Sequence, residues 1–369
     1  MRIFIDARVL DPTAGHGIAR HAQGLLRELA SEPGRHTYLV LARPGAAAGL
    51  ARGRRLEVRL NRCRPYSLAG QAVLPPLLAR LKPDLYYSPT YLPPALNPRP
   101  AALTIHDLIH LNFGPRRAWL RRLVWRAIIG PQARRARAVL TVSQQSALDI
   151  ARSLKVDQSR IEVIGNGLEP AFRPRSRAEV EAAGRRLGLS GPYLVSVGNP
   201  RPHKNLAGGV AAFHLLAERG FGGQLVVVGA GQAALPQGPG RVIKASGLSD
   251  EETAALYSGA AGAVFPSLAE GFGLPPLEAL ACLCPVAAFD LPVMREVLGS
   301  ETAFLARPPR AEALAQALAL MLDKPQEAQD RARAGQRQAA QYTWPRAAAR
   351  LREVFDQIET ELKGGRLGR

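Results

Sequence analysis

Short apolar runs rich in β-branched and aromatic residues alternate with longer segments of helical periodicity, and this alternation constrains the fold more than any other feature. In the first half of the chain the runs lie at residues 3–5, 38–41, 56–58, 85–87, 102–105, 139–142 and 161–164. In the second half they lie at residues 194–197, 225–228, 263–265 and 286–289. Because parallel strands need helical crossovers, the pattern predicts βαβ units and an α/β fold with mainly parallel sheets.

The length of the chain predicts two domains. Its 369 residues, 47% of them hydrophobic, exceed what one core usually accommodates. The apolar pattern lapses at residues 175–177, and we place the linker there. We expect a Rossmann-like domain at residues 1–180, a second at 181–344, and a C-terminal helix at 345–369 that crosses back toward the first domain.

The cysteines and the hydropathy pattern indicate a cytoplasmic protein. Cys63, Cys282 and Cys284 provide neither a disulfide framework nor the paired spacing of a zinc site. Residues 1–6 are too short an apolar run for a signal peptide, and no run reaches the length of a membrane span. We therefore expect a chain that is neither exported nor membrane-spanning.

Positive charge is concentrated in the first half of the chain. Residues 1–185 hold 30 Lys and Arg against 13 Asp and Glu, whereas residues 186–369 hold 19 against 17. Residues 116–137 alone carry eight arginines and no acidic residue. This imbalance predicts that the first half faces an anionic partner.

The segment at residues 116–129 has the pattern of an interfacial helix. One face can collect Trp119, Leu120, Leu123, Val124 and Ile128, with Trp125 near its margin and Arg117, Arg121 and Arg122 at its flanks. Such a helix suits an anionic membrane surface, and we expect peripheral contact with the inner face of the cell membrane. The alternatives are a core helix with a solvated basic edge, or a nucleic-acid surface without a known motif.

Two loops that follow strands of the second half carry unusual side chains. Ligands of open α/β sheets bind beyond the carboxyl ends of the strands. After the run at 194–197, residues 198–205 contain Arg201 and Lys204 and no apolar aliphatic side chain, which suits a diphosphate. After the run at 263–265, Glu270 lies in a glycine-rich turn.

That turn leads into a helix whose start is suited to a phosphate. Pro275 and Pro276 favour a helix start, and the free backbone N–H groups of a first turn can bind an anion. Glu278 is predicted to lie in the first turn. Two carboxylates beside a phosphate site indicate hydrogen bonds to the hydroxyls of a sugar.

Residues 266–299 resemble the E-x7-E signature of the large retaining GT-B glycosyltransferase family 4. Residues 198–206 resemble the phosphate loop of that family, and residues 104–108, 143–174 and 247–257 also match in order. The similarity covers nearly the whole chain, and the phosphate loop resembles that of bacterial surface-polysaccharide mannosyltransferases. The similarity implies a GT-B fold, with two Rossmann-like domains facing across a cleft.

The resemblance also implies a role for each matching residue. Glu278 would bind the donor ribose, Glu270 the transferred sugar, and Lys204 with Arg201 the diphosphate, while His106 would lie opposite them. The implied catalytic residues are Glu270, His106 and Lys204. The implied donor-binding residues are Gly17, Asn199, Arg201, Lys204, Leu248, Glu270, Gly271, Phe272, Gly273, Leu274 and Glu278. The acceptor or membrane side would contain Arg20, Asp107, Trp119, Arg121 and Arg122.

The reaction implied is transfer of a hexose from a nucleoside-diphosphate sugar to a glycan or a polyprenyl-diphosphate-linked acceptor, with retention of configuration. The likeness of the phosphate loop to that of mannosyltransferases implies GDP-mannose rather than a UDP-sugar as the donor. Because the sequence has no Asp-x-Asp motif, we expect no metal and no cofactor beyond the co-substrate. We also expect no nucleic-acid partner.

A competing interpretation is an NAD-dependent dehydrogenase. Residues 229–234 follow a strand and resemble a dinucleotide fingerprint, with Asp250 about twenty residues later. Against this, residues 249–252 have the pattern of a capping box at a helix start, whereas the ribose-binding acid belongs at the end of a strand.

Overall fold

Two parallel β-sheets organise the computed structural model, which describes residues 1–10, 17–47, 55–65, 67–91, 94, 97, 99–113, 123 and 125–367. The chain divides into two units, and each contains one of the sheets. Unit 1 comprises Met1–Gly167 and Thr343–Arg369, and unit 2 comprises Leu168–Tyr342. The prediction of two α/β domains with parallel sheets is therefore confirmed.

Seven parallel strands form the sheet of unit 1 within the described residues. They are β1 (Arg2–Asp6), β2 (Thr37–Ala42), β3 (Leu56–Leu60), β4 (Leu85–Ser88), β5 (Ala101–Thr104), β6 (Ala138–Thr141) and β7 (Ile161–Val163). The order is β3-β2-β1-β4-β5-β6-β7, with Ile3 opposite Tyr38 and Leu85. Ile3 and Ile5 pack in one buried cluster and Phe4 in another, because successive side chains of a strand point to opposite faces.

The connections of unit 1 are mostly helical. They are α1 (Gly17–Ser31), α2 (Pro44–Ala47), α3 (Leu68–Ala72), α4 (Leu74–Leu81), α5 (Ile109–Asn112), a π-helical segment (Trp125–Ile129), α6 (Gly130–Arg135), α7 (Gln144–Leu154) and a 3-10 turn (Gln158–Arg160). The hydroxyl of Ser143 caps α7 by accepting a hydrogen bond from the Ser146 amide. Such a cap satisfies one of the amide groups that the first helical turn leaves unpaired.

The final helix, Trp344–Leu367, completes the core of unit 1. Trp344, Leu351 and Phe355 are at most 2% exposed and pack in the same cluster as Ile3. Gly24 of α1 and Gly167 both lie directly against Trp344, and a Cβ atom at either position would collide with the indole ring. The absence of a side chain at these two glycines allows the indole to be buried there.

Unit 2 contains six parallel strands, again within the described part of the chain. They are β8 (Tyr193–Val197), β9 (Gln224–Val228), β10 (Arg241–Ala245), β11 (Gly262–Phe265), β12 (Val286–Phe289) and β13 (Phe304–Ala306). Their order is β10-β9-β8-β11-β12-β13. The strand order therefore reverses its direction between β8 and β11, which is where ligands bind in doubly wound sheets.

Two of the helices of unit 2, at Arg177–Leu187 and Asp250–Gly259, begin at a capping box. The helical segments of this unit are α8 (Arg177–Leu187), a 3-10 turn (Pro202–Lys204), α9 (Leu206–Glu218), α10 (Asp250–Gly259), α11 (Leu274–Ala281), α12 (Pro292–Leu298), α13 (Ala311–Asp323) and α14 (Pro325–Ala339). Ser249 and Glu252 exchange hydrogen bonds as a capping box at the start of α10, which confirms that prediction. None of the helices described in either unit has the length and apolar character to span a membrane.

The division between the units lies at Gly167, whereas the sequence pattern placed the boundary at residue 180. The polar stretch that suggested a linker is part of unit 2. The Arg175 amide donates a hydrogen bond to the Ser258 hydroxyl, and Ser176 caps α8 through Glu179. The low density of apolar residues at 175–177 therefore marks a segment that polar contacts hold in unit 2, and not a linker.

A buried ion pair follows β1. The Arg8 guanidinium donates two hydrogen bonds to the Asp6 carboxylate, at 2.8 and 2.7 Å, and a third to the Gly70 carbonyl at 2.9 Å. The Tyr86 hydroxyl donates to the same carboxylate at 3.2 Å. Arg8 is 1% exposed, so its charge depends on Asp6 for compensation.

We predict that Asp6→Ala lowers the free energy of unfolding of unit 1 by about 3–5 kcal/mol, because it leaves the Arg8 charge buried without a partner. Urea denaturation measures the change. Removing both charges, in Asp6→Leu with Arg8→Met, should restore most of the loss. Glu57→Ala is a matched control, because Glu57 pairs with Arg59 on the surface and such pairs contribute less than about 1 kcal/mol. Equal losses in the buried and surface variants would contradict the prediction.

Candidate active site

Two loops of unit 2 meet at the carboxyl edge of its sheet. One follows β8 and ends in the 3-10 turn Pro202–Lys204, and the other follows β11 and contains Glu270. Hydrogen bonds join them. The His203 carbonyl accepts from the Leu268 amide at 2.7 Å, the Asn205 side-chain amide donates to the Pro266 carbonyl at 3.1 Å, and Lys204 Nζ donates to Glu270 Oε1 at 2.6 Å.

The Lys204–Glu270 pair is largely withdrawn from solvent. The side chains are 14% and 8% exposed, respectively. Lys204 is thus a cation held in place by a carboxylate rather than a freely rotating surface lysine. A ligand that carries phosphate charges would compete with Glu270 for the ammonium group. The two residues with the clearest predicted roles are therefore direct partners.

Asn199 and Arg201 lie on the exposed side of the phosphate loop. The Arg201 amide donates to Asn199 Oδ1 at 3.3 Å, which shapes the start of the loop. Asn205, four residues after Arg201, has a left-handed backbone conformation with φ of +48°, and α9 begins directly after it. The loop therefore presents Arg201 to solvent and Lys204 to Glu270.

Glu278 does not lie in the first turn of α11, so that prediction is wrong. The helix begins at Leu274, directly after Gly273, which has a φ of +93°. Pro275 and Pro276 therefore occupy the first turn, and Glu278 is the fifth residue of the helix. Its 4% exposure places its carboxylate inside the unit, where a helix-dipole role does not explain it.

The start of α11 offers fewer amide donors than the sequence pattern indicates. Pro275 and Pro276 have no N–H group, and the Leu277 amide donates to the Gly273 carbonyl at 3.4 Å. Only Leu274 retains an N–H group without an intrahelical acceptor in this turn. Anion binding here would depend on the preceding glycine-rich backbone and on Lys204.

The other predicted donor-binding residues of unit 2 lie near this turn or on the edge of the sheet. Gly271, Phe272 and Gly273 are buried, and the Phe272 ring packs perpendicular to Tyr342 with centroids 5.3 Å apart. Leu248 is half-buried and directly precedes the Ser249 cap of α10, after the edge strand β10. The glycine-rich turn thus lies beside Lys204. Leu248 instead follows β10, which is two strands away from β8 in the sheet.

Two of the predicted residues of unit 1, His106 and Asp107, follow the carboxyl end of β5. His106 Nε2 donates to the Pro89 carbonyl at 3.0 Å, and burial lowers the pKa of His106, although Pro89 and the charge of Asp107 oppose the shift. Asp107 accepts from the Ile109 amide at 2.9 Å, so its carboxylate helps to start α5. Gly17 and Arg20 lie in the first turn of α1.

His21 and Asn166 contact this region, although neither was predicted as a site residue; the turn that contains Asn166 was noted only as part of the family resemblance. His21 is fully buried, and its Nδ1 lies 2.7 Å from Asn166 Oδ1. Its ring meets the His106 ring at 88°, with centroids 4.7 Å apart. Two signals could have pointed to them: a histidine on the apolar face of α1, and an Asn-Gly turn after a strand.

The predicted interfacial segment is described only in part. Trp119, Arg121 and Arg122 lie outside the described residues. Leu123 and Ile128 are 56% and 47% exposed. Trp125 is buried and packs against Tyr91 and His110, with ring centroids 4.4 Å apart in each case. Trp125 thus belongs to the core, and it begins the π-helical segment Trp125–Ile129.

One group of side chains in the described residues has the composition of a metal site. His36, Asp356 and Glu359 bring one ligand atom each within 4.8 Å of one another. However, Arg35 Nε lies 2.6 Å from Asp356 and 3.0 Å from Glu359, so both carboxylates already have a cationic partner. We interpret the group as an ion-pair network between β2 and the final helix.

The cysteines next to Glu278 serve packing. Cys282 and Cys284 are 1% exposed. Burial raises the pKa of Cys282 to about 12, and the charge of Glu278 adds to the shift. Both thiols therefore stay protonated at neutral pH.

The structure argues against the dehydrogenase interpretation, because the acid that would bind the ribose does not lie at the end of a strand. Asp250 is the first residue of α10 and lies inside the capping box rather than at the end of a strand. The switch point of the sheet is instead occupied by the Lys204–Glu270 pair.

Comparisons with known proteins identify the family of the chain. Residues 15–172 match the family model described as Glycosyltransferase Family 4, and residues 182–338 match the model described as Glycosyl transferases group 1. Together the two models account for most of the chain. The protein therefore belongs to the group 1 and family 4 glycosyltransferases.

Among curated relatives, the chain is 31% identical over 282 residues to an MMP alpha-(1->4)-mannosyltransferase of Mycolicibacterium hassiacum, covering 70% of this chain and 65% of the relative. It is 28% identical over 209 residues to the O-antigen chain mannosyltransferase RfbU of Salmonella typhimurium, covering 54% and 55%. The matches thus span between about half and two thirds of these relatives.

Solved structures show the same fold at low identity. The Anabaena protein HepE, solved in complex with UDP-glucose, has a TM-score of 0.73 at 17% identity, with 98% of this chain and 100% of HepE covered. WaaG, a glycosyltransferase involved in lipopolysaccharide biosynthesis, has a TM-score of 0.69 at 16% identity, with 95% and 99% covered. These likenesses establish the GT-B fold class.

Proposed function

We propose that the protein is a retaining glycosyltransferase that moves a hexose from a nucleoside-diphosphate sugar to a glycan or lipid-linked acceptor in bacterial cell-surface polysaccharide synthesis. The observation that carries the proposal is the Lys204–Glu270 ion pair at the switch point of unit 2. Unit 2 would bind the donor and unit 1 the acceptor. Mannose is the proposed sugar, and GDP-mannose the donor, because several relatives are named as mannosyltransferases.

The pair explains how a diphosphate could be bound and then stabilised as it leaves. Phosphate oxygens accept strong hydrogen bonds from an ammonium group, and Lys204 is already oriented by Glu270. When Lys204 turns to the phosphate, the Glu270 carboxylate is released to accept hydrogen bonds from sugar hydroxyls. Arg201, exposed on the same loop, would add a second cation.

The proposed chemistry uses the leaving group itself. The acceptor hydroxyl attacks the anomeric carbon from the face that the diphosphate leaves, the bond to the diphosphate oxygen breaks, and that oxygen takes the hydroxyl proton. Lys204 and Arg201 stabilise the charge that develops on the diphosphate, so that the step requires no metal. His106, at the carboxyl end of β5 in unit 1, would contact the transferred sugar.

We predict that Lys204→Ala weakens binding of GDP or UDP by about ten- to a hundredfold, because a charge-assisted hydrogen bond contributes about 1.5–3 kcal/mol. Isothermal titration calorimetry measures the affinity. Lys244→Ala is the matched control, because Lys244 is an exposed lysine of unit 2 whose ammonium bonds the Ala233 carbonyl. A loss of similar size in both variants would show that general charge, not this site, binds the nucleotide.

Substitutions of the two glutamates should have different kinetic effects. Glu278→Gln should chiefly raise the KM for the donor, and Glu270→Gln should chiefly lower kcat, because only Glu270 is proposed to contact the transferred sugar. Initial rates with GDP-mannose, measured in the presence of EDTA, test both the roles and the metal independence. The opposite pattern would mean that the roles are exchanged, and loss of wild-type transfer in EDTA would contradict the metal-free step.

Exposed leucines support contact between unit 1 and an anionic membrane. Leu60 and Leu68 are 61% and 91% exposed, and Arg59, Arg62 and Arg64 lie next to them in sequence. Apolar side chains flanked by arginines suit the headgroup boundary of a bilayer. We propose peripheral association with the cytoplasmic membrane face, near a polyprenyl-diphosphate-linked acceptor.

We predict that Leu60→Ser with Leu68→Ser lowers partition to phosphatidylglycerol vesicles by about tenfold or more, since burying a leucine contributes about 1.5–3 kcal/mol. Co-sedimentation at several salt concentrations measures the partition. Leu320→Ser is the matched control, because Leu320 is 43% exposed in unit 2. Equal, salt-insensitive partition to neutral and anionic vesicles would contradict membrane contact, and selective retention on RNA at physiological salt would favour nucleic acid.

A further inference from the structure

The hydrogen bond of His106 fixes its tautomer. The Pro89 carbonyl can only accept a hydrogen bond, so Nε2 of His106 must carry the proton. In the neutral ring the lone pair is then on Nδ1. Any hydroxyl that donates a hydrogen bond to this ring must donate to Nδ1.

His21 has the opposite tautomer. Its Nδ1 lies 2.7 Å from Asn166 Oδ1, which accepts, so that Nδ1 carries the proton. Nε2 is buried and has no hydrogen-bond partner among the described residues. Protonation of Nε2 would bury a charge and a second N–H group without an acceptor. Burial, with a further contribution from His106, accordingly lowers the pKa of His21 to about 3.

Packing holds the His21 ring in one orientation. It lies 6.0 Å from the Trp344 ring on one side and 4.7 Å from the His106 ring on another. Trp344 is itself confined by Gly24 and Gly167, and Gly167 is the neighbour of Asn166. The His21 ring therefore joins α1, the turn after β7 and the end of β5.

We propose that His21 and Asn166 are positioning residues that hold the His106 ring in a fixed plane and in its neutral Nε2–H form. The perpendicular His21 ring sets the plane, and the amide of Asn166 keeps His21 uncharged beside it. Nδ1 of His106 is thereby kept as an acceptor for a hydroxyl of the transferred sugar or the acceptor. The catalytic use of Nδ1 rests on the proposed function, whereas the tautomers and the ring geometry do not.

Long-range proton–nitrogen NMR of nitrogen-15-labelled histidines tests the tautomers in the full chain without any substrate. We expect His106 as Nε2–H and His21 as Nδ1–H, with His21 not titrating between about pH 5.5 and 8. The variants His21→Phe and His106→Ala assign the signals. A wild-type His106 with the proton on Nδ1, or a His21 that titrates in this range, would overturn the proposal.

Asn166→Asp tests the positioning role. A carboxylate that faces Nδ1–H should raise the His21 titration midpoint by about 1–3 pH units from its value of about 3, so that His21 gains a positive charge beside His106 when the pH is lowered to about 5. At about pH 5 the His106 ring signals should shift, and kcat should fall by about ten- to a hundredfold relative to the wild type at the same pH, with little change in the donor KM. Asn61→Asp is the control, since Asn61 Oδ1 also accepts a hydrogen bond in unit 1, from the Cys63 amide, and not from a histidine.

His21→Phe and His21→Ala complete the test. Phenylalanine retains the perpendicular ring and should keep the His106 tautomer and a kcat near that of the wild type, whereas alanine should lower kcat. Unchanged His106 signals in Asn166→Asp would overturn the proposal, even if stability falls. If the NMR results are as expected but no donor is turned over, the proposed function fails and the positioning of His106 stands.

Discussion

The parallel strand order of unit 2 is the constraint on which the candidate site depends. Because β8 begins the sheet and the chain later returns to its other side, β11 becomes its neighbour. All carboxyl ends of parallel strands lie at one edge, so the loops after β8 and β11 meet there. Lys204 and Glu270 are 66 residues apart in the chain and still form an ion pair. Neither residue could position the other without this crossover.

In unit 1 the strand order likewise brings distant segments of the chain together, but the core is completed by the final helix. The strand order places β1 beside β4, where Asp6, Arg8 and Tyr86 form a buried polar network. The final helix contributes Trp344 and Phe355 to the core around β1. The polar groups at the carboxyl edge of the sheet therefore lie on a packed apolar core. The His106 ring has a defined orientation because it packs against the His21 ring.

The sequence predicted what local periodicity determines. All the predicted strands are present. The central ones consist largely of uninterrupted apolar residues, whereas the edge strands β3 and β7 have Glu57 and Glu162 between apolar neighbours. Two strands of unit 2 were missed: β10 contains the exposed Arg241 and Lys244, and β13 has only three residues. Glu278 was assigned to the first turn because the pattern does not show that the helix already begins at Leu274, which makes Glu278 its fifth residue. The contact of His21 with Asn166 spans 145 residues, so that no local pattern could reveal it.

The charged pair at the switch point has a chemical rather than a structural explanation. A largely buried ion pair contributes little net stability compared with an apolar pair of similar volume, because both charges lose their hydration. The two loops are already joined by the bonds at Leu268 and Asn205, which involve no charge. The ion pair therefore adds something that packing does not require, namely a cation that can exchange its carboxylate partner for a phosphate. This exchange links the resting geometry of unit 2 to the proposed transfer.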